Sequence, residues 1–456
     1  MSARFDRAAV TRKFKHPDAP PVIATSMQRS LDHKRAAHAD VPWESLRDRA
    51  HALKADAIAN LDSLLEEFER RFVARGGKVV WARTADEAAD EFLRICGVHD
   101  ARSVVKGKSM VSEELRLNER LAAAGIDPVE TDLGEFIVQL ADQKPSHVIA
   151  PAAHLSAKDV GELFERKLGL EFSDNPQTLS LAARARLRGR YVSADVGMTG
   201  VNFAVAETGT LIVVENEGNG GLSAAAPRVH IALMGIEKVI RRAADLTTFL
   251  PLLSRSGTGQ KITTYTHHFL GPEPGKHQYC IIVDAGRTAL LADPETREAL
   301  YCIRCGACMN VCPVYRRVGG AAYGSVYPGP IGAVVTPKMV DAAAASVLPF
   351  ASTLCGACKD ECPVKIDLPL QLVRLRRSAV DSGVAGGAME RRAMRMFARA
   401  MSSARAYSRA VAWLRLALGI ARRSPWKPGP LGAWMRRRSL PAPAVQTFRE
   451  WWGTRS

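Results

Sequence analysis

Four cysteines crowd into the stretch "CIRCGACMNVC" at 302–312, with Pro313 next. The pattern C-x2-C-x2-C-x3-C-P is a ligand spacing of [4Fe–4S] cubanes in two-cluster proteins. Three thiolates two residues apart each reach a different iron on one face of a cube, and the fourth points away to the other cluster. Such a scheme requires a second run, and "STLCGACKDECPVKI" supplies Cys355, Cys358, Cys362 and Pro363. Reciprocal exchange gives one cluster to Cys302, Cys305, Cys308 and Cys362. The other takes Cys312, Cys355 and Cys358, and is one ligand short.

Ser352 occupies the place where a complete second run would have its first cysteine. The deficit leaves open a [3Fe–4S] cluster, a serine or water oxygen on the fourth iron, Cys280 folding across, or a ligand from a partner. Structural zinc suits paired C-x2-C knuckles better than a triple run closed by proline, and a cytoplasmic disulfide framework would be unusual. About forty residues separate the two runs, and the intervening "DAAAASVLPFAST" reads as a helix, so an α-helical ferredoxin-type domain is expected. Clusters in such domains serve as one-electron relays.

What positions these cysteines is a chain of 456 residues, too long for one ordinary core. Apolar residues make up 47% and charged residues 24%, the balance of a globular chain. No apolar run approaches the ~18 residues of a membrane span. The N-terminus has neither an apolar h-region nor a twin arginine, so a cytoplasmic location is expected. Net charge is +16, and nearly all of the excess lies after residue 373, where 18 Lys or Arg face three acids. That tail also carries five of the seven tryptophans. A basic, aromatic segment of this kind meets a partner protein, an acidic membrane surface or nucleic acid.

Four parts are expected. Residues 1–75 form a Pro-containing arm and a helical lead-in from about Pro42 to Ala74. Residues 76–290 alternate β-rich runs with helices: "KVVW" (78–81), a helix opened by a Thr84/Glu87 capping box and stopped at Gly97, then "SVVK" (103–106), "HVIAP" (147–151), "GTLIVVEN" (209–216), "RVHIALMG" (228–235) and "QYCIIVDAG" (278–286). Such alternation predicts an α/β domain, with Cys96 and Cys280 as buried small hydrophobes. Residues 291–372 hold the cysteine runs, at 302–313 and 355–363, entered by a helix capped at Asp293 and Pro294. Residues 373–456 are the basic, Trp-rich region, with Tyr407, Val411, Leu414 and Leu418 at helical spacing until "SPWKPGP" (424–430) breaks it.

Taken together, "CIRCGACMNVCPVYRRVGGAAYGSVYPGPIGAVVTP", "TLCGACKDECPVKI", "VKGKSMVSEE" (105–114), "ETDLGEF" (130–136) and "GVNFAVAETGTLIVVENEGN" (200–219) resemble the lactate utilization protein B (LutB/LldF) family over nearly the whole chain. Even the missing eighth cysteine resembles the family pattern. The resemblance implies a lactate-utilization (LUD) domain of NagB/RpiA/CoA-transferase-like fold, a helical ferredoxin domain and a family-specific C-terminal region. It further implies a three-protein system that oxidises L-lactate to pyruvate, with this subunit as electron carrier rather than an enzyme alone. Its partners would be a cysteine-rich-domain subunit and a second LUD-domain subunit.

Other motifs carry weaker chemistry. "AETGT" (206–210) could orient a small hydroxy acid, with Glu207 as base and Thr208, Gly209 and Thr210 binding the anion, or it is a tight turn feeding a buried strand. "KGKS" lacks the first glycine of a Walker A loop, because Arg102 stands there. Lys106, Lys108 and Ser109, between a strand and a helix start, suit a carboxylate or phosphate, or are solvated surface groups. His267, His268 and His277 are expected in a loop and fit no standard zinc spacing. "GGAAYGSVYPGPIG" (319–332) reads as a covering over a cluster. No G-x-G-x-x-G fingerprint for a dinucleotide is present. Two rival functions remain: an iron–sulfur redox sensor or nucleic-acid or partner-binding protein, and a LUD enzyme with structural clusters.

Overall fold

The protein, as a computed structural model, is described at residues 22–340, 345–423, 432, 435, 438, 439 and 442–455. Among the described residues ten strands run in chain order: β1 (Lys78–Ala82), β2 (Ser103–Lys106), β3 (Asp127–Glu130), β4 (Val196–Gly200), β5 (Phe203–Val205), β6 (Thr210–Glu215), β7 (Val229–Gly235), β8 (Val239–Ile240), β9 (Tyr265–Phe269) and β10 (His277–Val283). Six of them form a wholly parallel sheet in the order β1-β10-β7-β4-β2-β3, and a smaller sheet runs β8-β5-β6-β9. Every residue of β7 is buried, as expected of a central parallel strand covered on both faces.

Alternation along the central strands sends side chains to two different cores. Val229, Ile231, Leu233, Tyr279, Ile281 and Val283 pack beneath Phe92, Ile95 and Cys96 of the helix Ala85–Val98. Ala232, Met234, Cys280 and Ile282 face the other way, into a core shared with Phe68 and Phe72 and with Cys305, Cys308 and Cys312. The cysteine-bearing segment therefore grows out of one face of the sheet. The N-terminal helices Val22–His38, Trp43–Ala59 and Leu61–Ala74 supply Ile23, Met27, Ile58, Leu64 and Phe68 to that same core. By packing, the chain divides at Ser382/Gly383. The second unit holds the helices Ala388–Met401, Ala404–Arg423 and Phe448–Gly453, the first of them with no buried residue. The expected break at 424–430, the first 21 residues of the expected arm and residues 341–344 lie outside the described residues; the rest of that arm, up to His38, is instead the helix Val22–His38, whose Ile23, Met27 and Leu31 are buried.

Several expected elements take another form. Residues 147–151 are a loop, not a strand. His147 Nδ1 accepts from the amides of Ile149 and Ala150, both at 3.1 Å, and Ser146 donates to Pro151 O, which curls the chain instead of extending it. His267 and His268 lie on β9 and His277 opens β10, so these residues are strand, not loop. Asp293 stabilises a turn and Cys302 follows a 3-10 segment, Arg297–Tyr301, in place of an α-helix. Thr84 caps its helix at 3.0 Å, but Glu87 reaches the amide of Arg83 and the box stays open. Of the helix expected before the second cysteine run, residues 341–344 lie outside the described residues, Ala345 is helical, and a 3-10 turn follows at Leu348–Phe350.

Buried ion pairs close the larger unit. Arg287, 1% exposed, grips Glu114 with two nitrogens (2.7 and 3.0 Å) and Glu237 with Nε (2.6 Å). Arg287→Met would leave both carboxylates buried without their fork, at a cost of about 3–5 kcal/mol. A lowered urea midpoint in this variant, partly restored by adding Glu237→Leu, checks it. A second expectation concerns pH. His230 is buried on β7 between Thr199 and Gln278, and burial lowers its pKa to about 4 from an ordinary 6.5. Its contribution is complete above 6.5 and is lost as pH falls toward 4, because the unfolded chain takes up the proton first. His230→Gln should flatten the urea midpoint between these limits.

Candidate iron–sulfur centre and the adjoining cavity

The two cysteine runs fold into loops that meet in one core. Cys302 follows the 3-10 turn, Cys308 lies in the helix Ala307–Val311, and Cys312 caps the helix Pro313–Val318, whose first residue is Pro313. In the second run Cys358 lies in the helix Ala357–Asp360 and Cys362 follows it. Burial pushes the Cys305 and Cys358 thiols up to about 12 and Cys362 up to about 11, and raises Cys308 and Cys312 as well. Neighbouring thiols add to this. Cys302 and Cys362 act on Cys305, and Cys302 and Cys305 act on Cys308; Cys355 acts on Cys312, and both of those act on Cys358. These influences run mainly within two sets, Cys302, Cys305, Cys308 and Cys362, and Cys312, Cys355 and Cys358. The two sets also act on one another, Cys358 on Cys308 and Cys362 on Cys358.

Among the described residues, no three His, Cys, Asp or Glu side chains are gathered tightly enough to hold a single metal ion. The fit to a cluster lies in the donor chemistry. All nine cysteines are free, and seven of them are gathered in the two runs, which supply the thiol donors that iron–sulfur clusters take. Backbone amides also turn toward the sulfurs: Arg304 N to Cys302 Sγ at 3.4 Å, Tyr315 N to Cys312 Sγ at 3.5 Å, and the amides of Ile331 and Ile366 to Cys308 and Cys362. Such bonds set cluster potentials. Ile331 belongs to the 319–332 segment, which covers this side of the centre.

The lead-in helices hold the second run, which spacing alone did not reveal. Arg47 Nε donates to Cys362 O (3.0 Å) and its Nη2 to Asp360 O (2.7 Å), capping the short helix before Cys362. Lys34 pairs with Glu361, Lys365 with Asp48, and His51 meets Val364 O at 2.9 Å. The loop at 146–151 grips the first run in the same way. His147 Nε2 donates to Asn310 Oδ1 (3.0 Å), and Tyr315 donates to Ser146 O (2.6 Å). Burial lowers His147 to about 3, so the ring is neutral and this tautomer is fixed by the amides on Nδ1.

Beside the first neighbourhood opens a cavity of about 260 Å³. Lys108, Ser109, Thr199, Lys238 and Arg304 line it, with the acids Asp132, Glu215 and Glu217 on its wall. Lys108 Nζ and the Nε and Nη1 of Arg304 are buried without a hydrogen-bond partner. Arg304 lies between Cys302 and Cys305, stacks on Tyr327 at 4.3 Å and reaches Glu237 at 3.4 Å. His230 stands between Gln278 at 3.3 Å and the Thr199 hydroxyl at 2.8 Å, and Thr199 is part of the cavity wall. Buried cations without hydrogen-bond partners and hydroxyls on the wall are what a small carboxylate needs.

The remaining sequence-derived residues fall elsewhere. Lys106 is fully buried and pairs with Glu130 and Asn118. Glu207 is exposed in the hairpin between β5 and β6, where it accepts from the amide of Ala243 at 3.0 Å. Thr208 and Thr210 bond each other at 2.8 Å, and Gly209, at φ +66, lies against the backbone of Phe72. None of these five lines the cavity. The sequence missed Lys238, Thr199 and Arg304; only Arg304, inside the first cysteine run, carried a signal that could have found it.

Residues 65–286 match the LUD domain, residues 298–366 the 4Fe-4S dicluster domain, and residues 374–456 the family described as lactate utilisation protein B, C-terminal. The chain is 41% identical over 444 residues to lactate utilization protein B of Shouchella clausii (strain KSM-K16), an alignment covering 95% of this chain and 93% of that protein. Against lactate utilization protein B of Oceanobacillus iheyensis it is also 41% identical, over 91% of this chain and 88% of the other. The uncharacterized electron transport protein YkgF of Escherichia coli (strain K12) is 38% identical over 98% of this chain and 95% of its own. On this likeness along its full length, the chain belongs to the lactate utilization protein B family.

Proposed function

We propose that this chain is the iron–sulfur electron-transfer subunit of a system oxidising L-lactate to pyruvate, with two clusters in relay. The observation that supports it is the pair of thiol neighbourhoods adjoining inside one core, at Cys308, Cys358 and Cys362. Cys302, Cys305, Cys308 and Cys362 hold the first cluster, and Cys312, Cys355 and Cys358 the second, most simply both [4Fe–4S]. When bound, each supplies passage of one electron at a time. The chain's own residues set the conditions: Arg47 and His147 fix the loops, amides face the sulfurs, and Tyr327 and Arg304 close the cavity side. Exposed Cys355 marks the end of the relay nearer solvent. The parallel sheet clad by helices on both faces is of NagB/RpiA/CoA-transferase-like type in this reading.

Lactate oxidation releases two electrons and two protons, so the primary acceptor of the pair lies in another subunit, and this chain divides the electrons. The proposed partners are a cysteine-rich-domain subunit and a second LUD-domain subunit. The compartment is the cytoplasm, where free thiols persist as ligands rather than disulfides. No helix among the described residues is long and apolar enough to cross a membrane. The cavity binds a small hydroxy or keto acid, its carboxylate on Lys108 and Arg304 and its hydroxyl or carbonyl oxygen toward Ser109 and Thr199.

Protein purified without oxygen should carry about eight iron and, on reduction, two interacting paramagnetic signals, as two cubanes require. A folded Cys302→Ser/Cys355→Ser double variant should lose electron transfer to an added dye; retained lactate turnover in it would favour the enzyme reading. Calorimetric titration with L-lactate and with pyruvate tests the cavity. Lys108→Met should weaken binding at least tenfold, about 1.4 kcal/mol, while unchanged affinity would remove the cavity from the reading.

A further inference from the structure

The two cysteine loops share one backbone. Arg304 and Leu354, each one residue before a cysteine, are left-handed at φ 60 and 56. Gly306 and Gly356, each one residue after, are left-handed at φ 78 and 89. Both loops then enter a short helix through an alanine, Ala307 or Ala357, that precedes the next cysteine. Left-handed arginine and leucine are costly, on the order of 1 kcal/mol each, so their recurrence at the same place marks a shape that both loops must keep. In the first loop Cys302 Sγ accepts from the amide two residues on, Arg304 N, at 3.4 Å. In the second, Ser352 Oγ accepts from Leu354 N at 3.1 Å.

Resting on the two-cluster reading, we infer that Ser352 is the fourth protein ligand of the second cluster, through Oγ. Its side chain turns along its loop as that of Cys302 does along the first, toward the same amide. The peptide is fixed from behind: Arg376 donates to Ser352 O at 2.9 Å and to Pro349 O at 2.8 Å, its guanidinium lying 5.3 Å from the Phe350 ring. Cys280 cannot serve, since it is fully buried in mid-β10 and paired with both β1 and β7. Two other oxygens stand near these thiols, Tyr323 beside Cys312 and Thr353 beside Cys355. Neither occupies the loop position of Cys302. Ligation breaks the Ser352 O–H bond, forms one iron–oxygen bond and releases the proton to solvent, with no change of oxidation state, as each cysteine thiol does. An alkoxide is a harder donor than a thiolate and favours ferric iron.

The test uses the full chain purified without oxygen, as wild type, Ser352→Ala, Ser352→Cys and Thr353→Val, read by iron and sulfide content, EPR and Mössbauer spectra. Wild type and Thr353→Val should each hold about eight iron. Ser352→Ala should fall toward seven and show an oxidised-state [3Fe–4S] signal, while Ser352→Cys should keep eight and move the second cluster to higher potential. A Ser352→Ala protein with the iron and spectra of wild type overturns the inference and leaves the two clusters standing. So does a wild type that already holds seven iron with the [3Fe–4S] signal. Wild type without iron overturns the two-cluster reading itself.

Discussion

Glu237 is the charge on which the larger unit closes. It sits just past the end of the central strand β7, 1% exposed at its side chain, and three segments converge on it. Arg287 reaches it from the helix after β10, Arg304 from the first cysteine loop, and Lys54 from an N-terminal helix donates to its carbonyl at 2.6 Å. Burial alone would raise its pKa, but Arg287, Lys238 and Arg304 hold it well below the ordinary carboxylate range. A buried carboxylate so surrounded persists only because its partners are in place. The same convergence that makes the sheet rigid therefore fixes the loop carrying Cys302 and Cys305.

Excess cation at that junction shapes what lies beside it. Burial lowers both Lys54 and Lys238 to about 8, and Arg304 spends one nitrogen on Glu237 while two remain without partners. A buried donor left unpaired costs free energy that a ligand can recover. The cavity and the first thiol neighbourhood thus share Arg304: one face of its guanidinium lies on Tyr327, and its backbone amide faces Cys302. An anion in the cavity would be felt at the sulfur through a single residue. Thr199, held by the neutral His230, adds a neutral donor where charge is already crowded.

Local pattern made some of this legible. The cysteine spacing needs only the chain's own turns to bring thiols together, and strands such as "RVHIALMG" are apolar runs whose burial on both faces needs no partner to be read. β3 and β4, "DPVE" and "VGMTG", contain Pro or Gly and exist because β2 binds both of them. "HVIAP" has a strand's composition, yet its residues are spent on the helices at 307–318. Lys108, Lys238 and Arg304 come from positions far apart in sequence, and only the parallel sheet order gathers them. Arg47, more than three hundred residues from Cys362, offers no local sign of what it holds.

That last distance bears on how the centre comes to exist. The first neighbourhood needs Cys362 beside Cys302, Cys305 and Cys308, so it is complete only when the intervening chain has closed into a loop, at an entropic cost that grows slowly with length. The second run does not stand alone: Arg47 caps the turn before Cys362, Lys34 pairs with Glu361, and Lys365 is held by Glu44 and Asp48. Those helices in turn rest on the sheet through Lys54 and Glu237. Ligands that bind only the folded arrangement stabilise all of it by mass action. A cluster held by both runs, as proposed, would tie the N-terminal helices, the sheet and the cysteine loops into one cooperative whole. Disturbance at Glu237 reaches the thiols by the same route that assembled them.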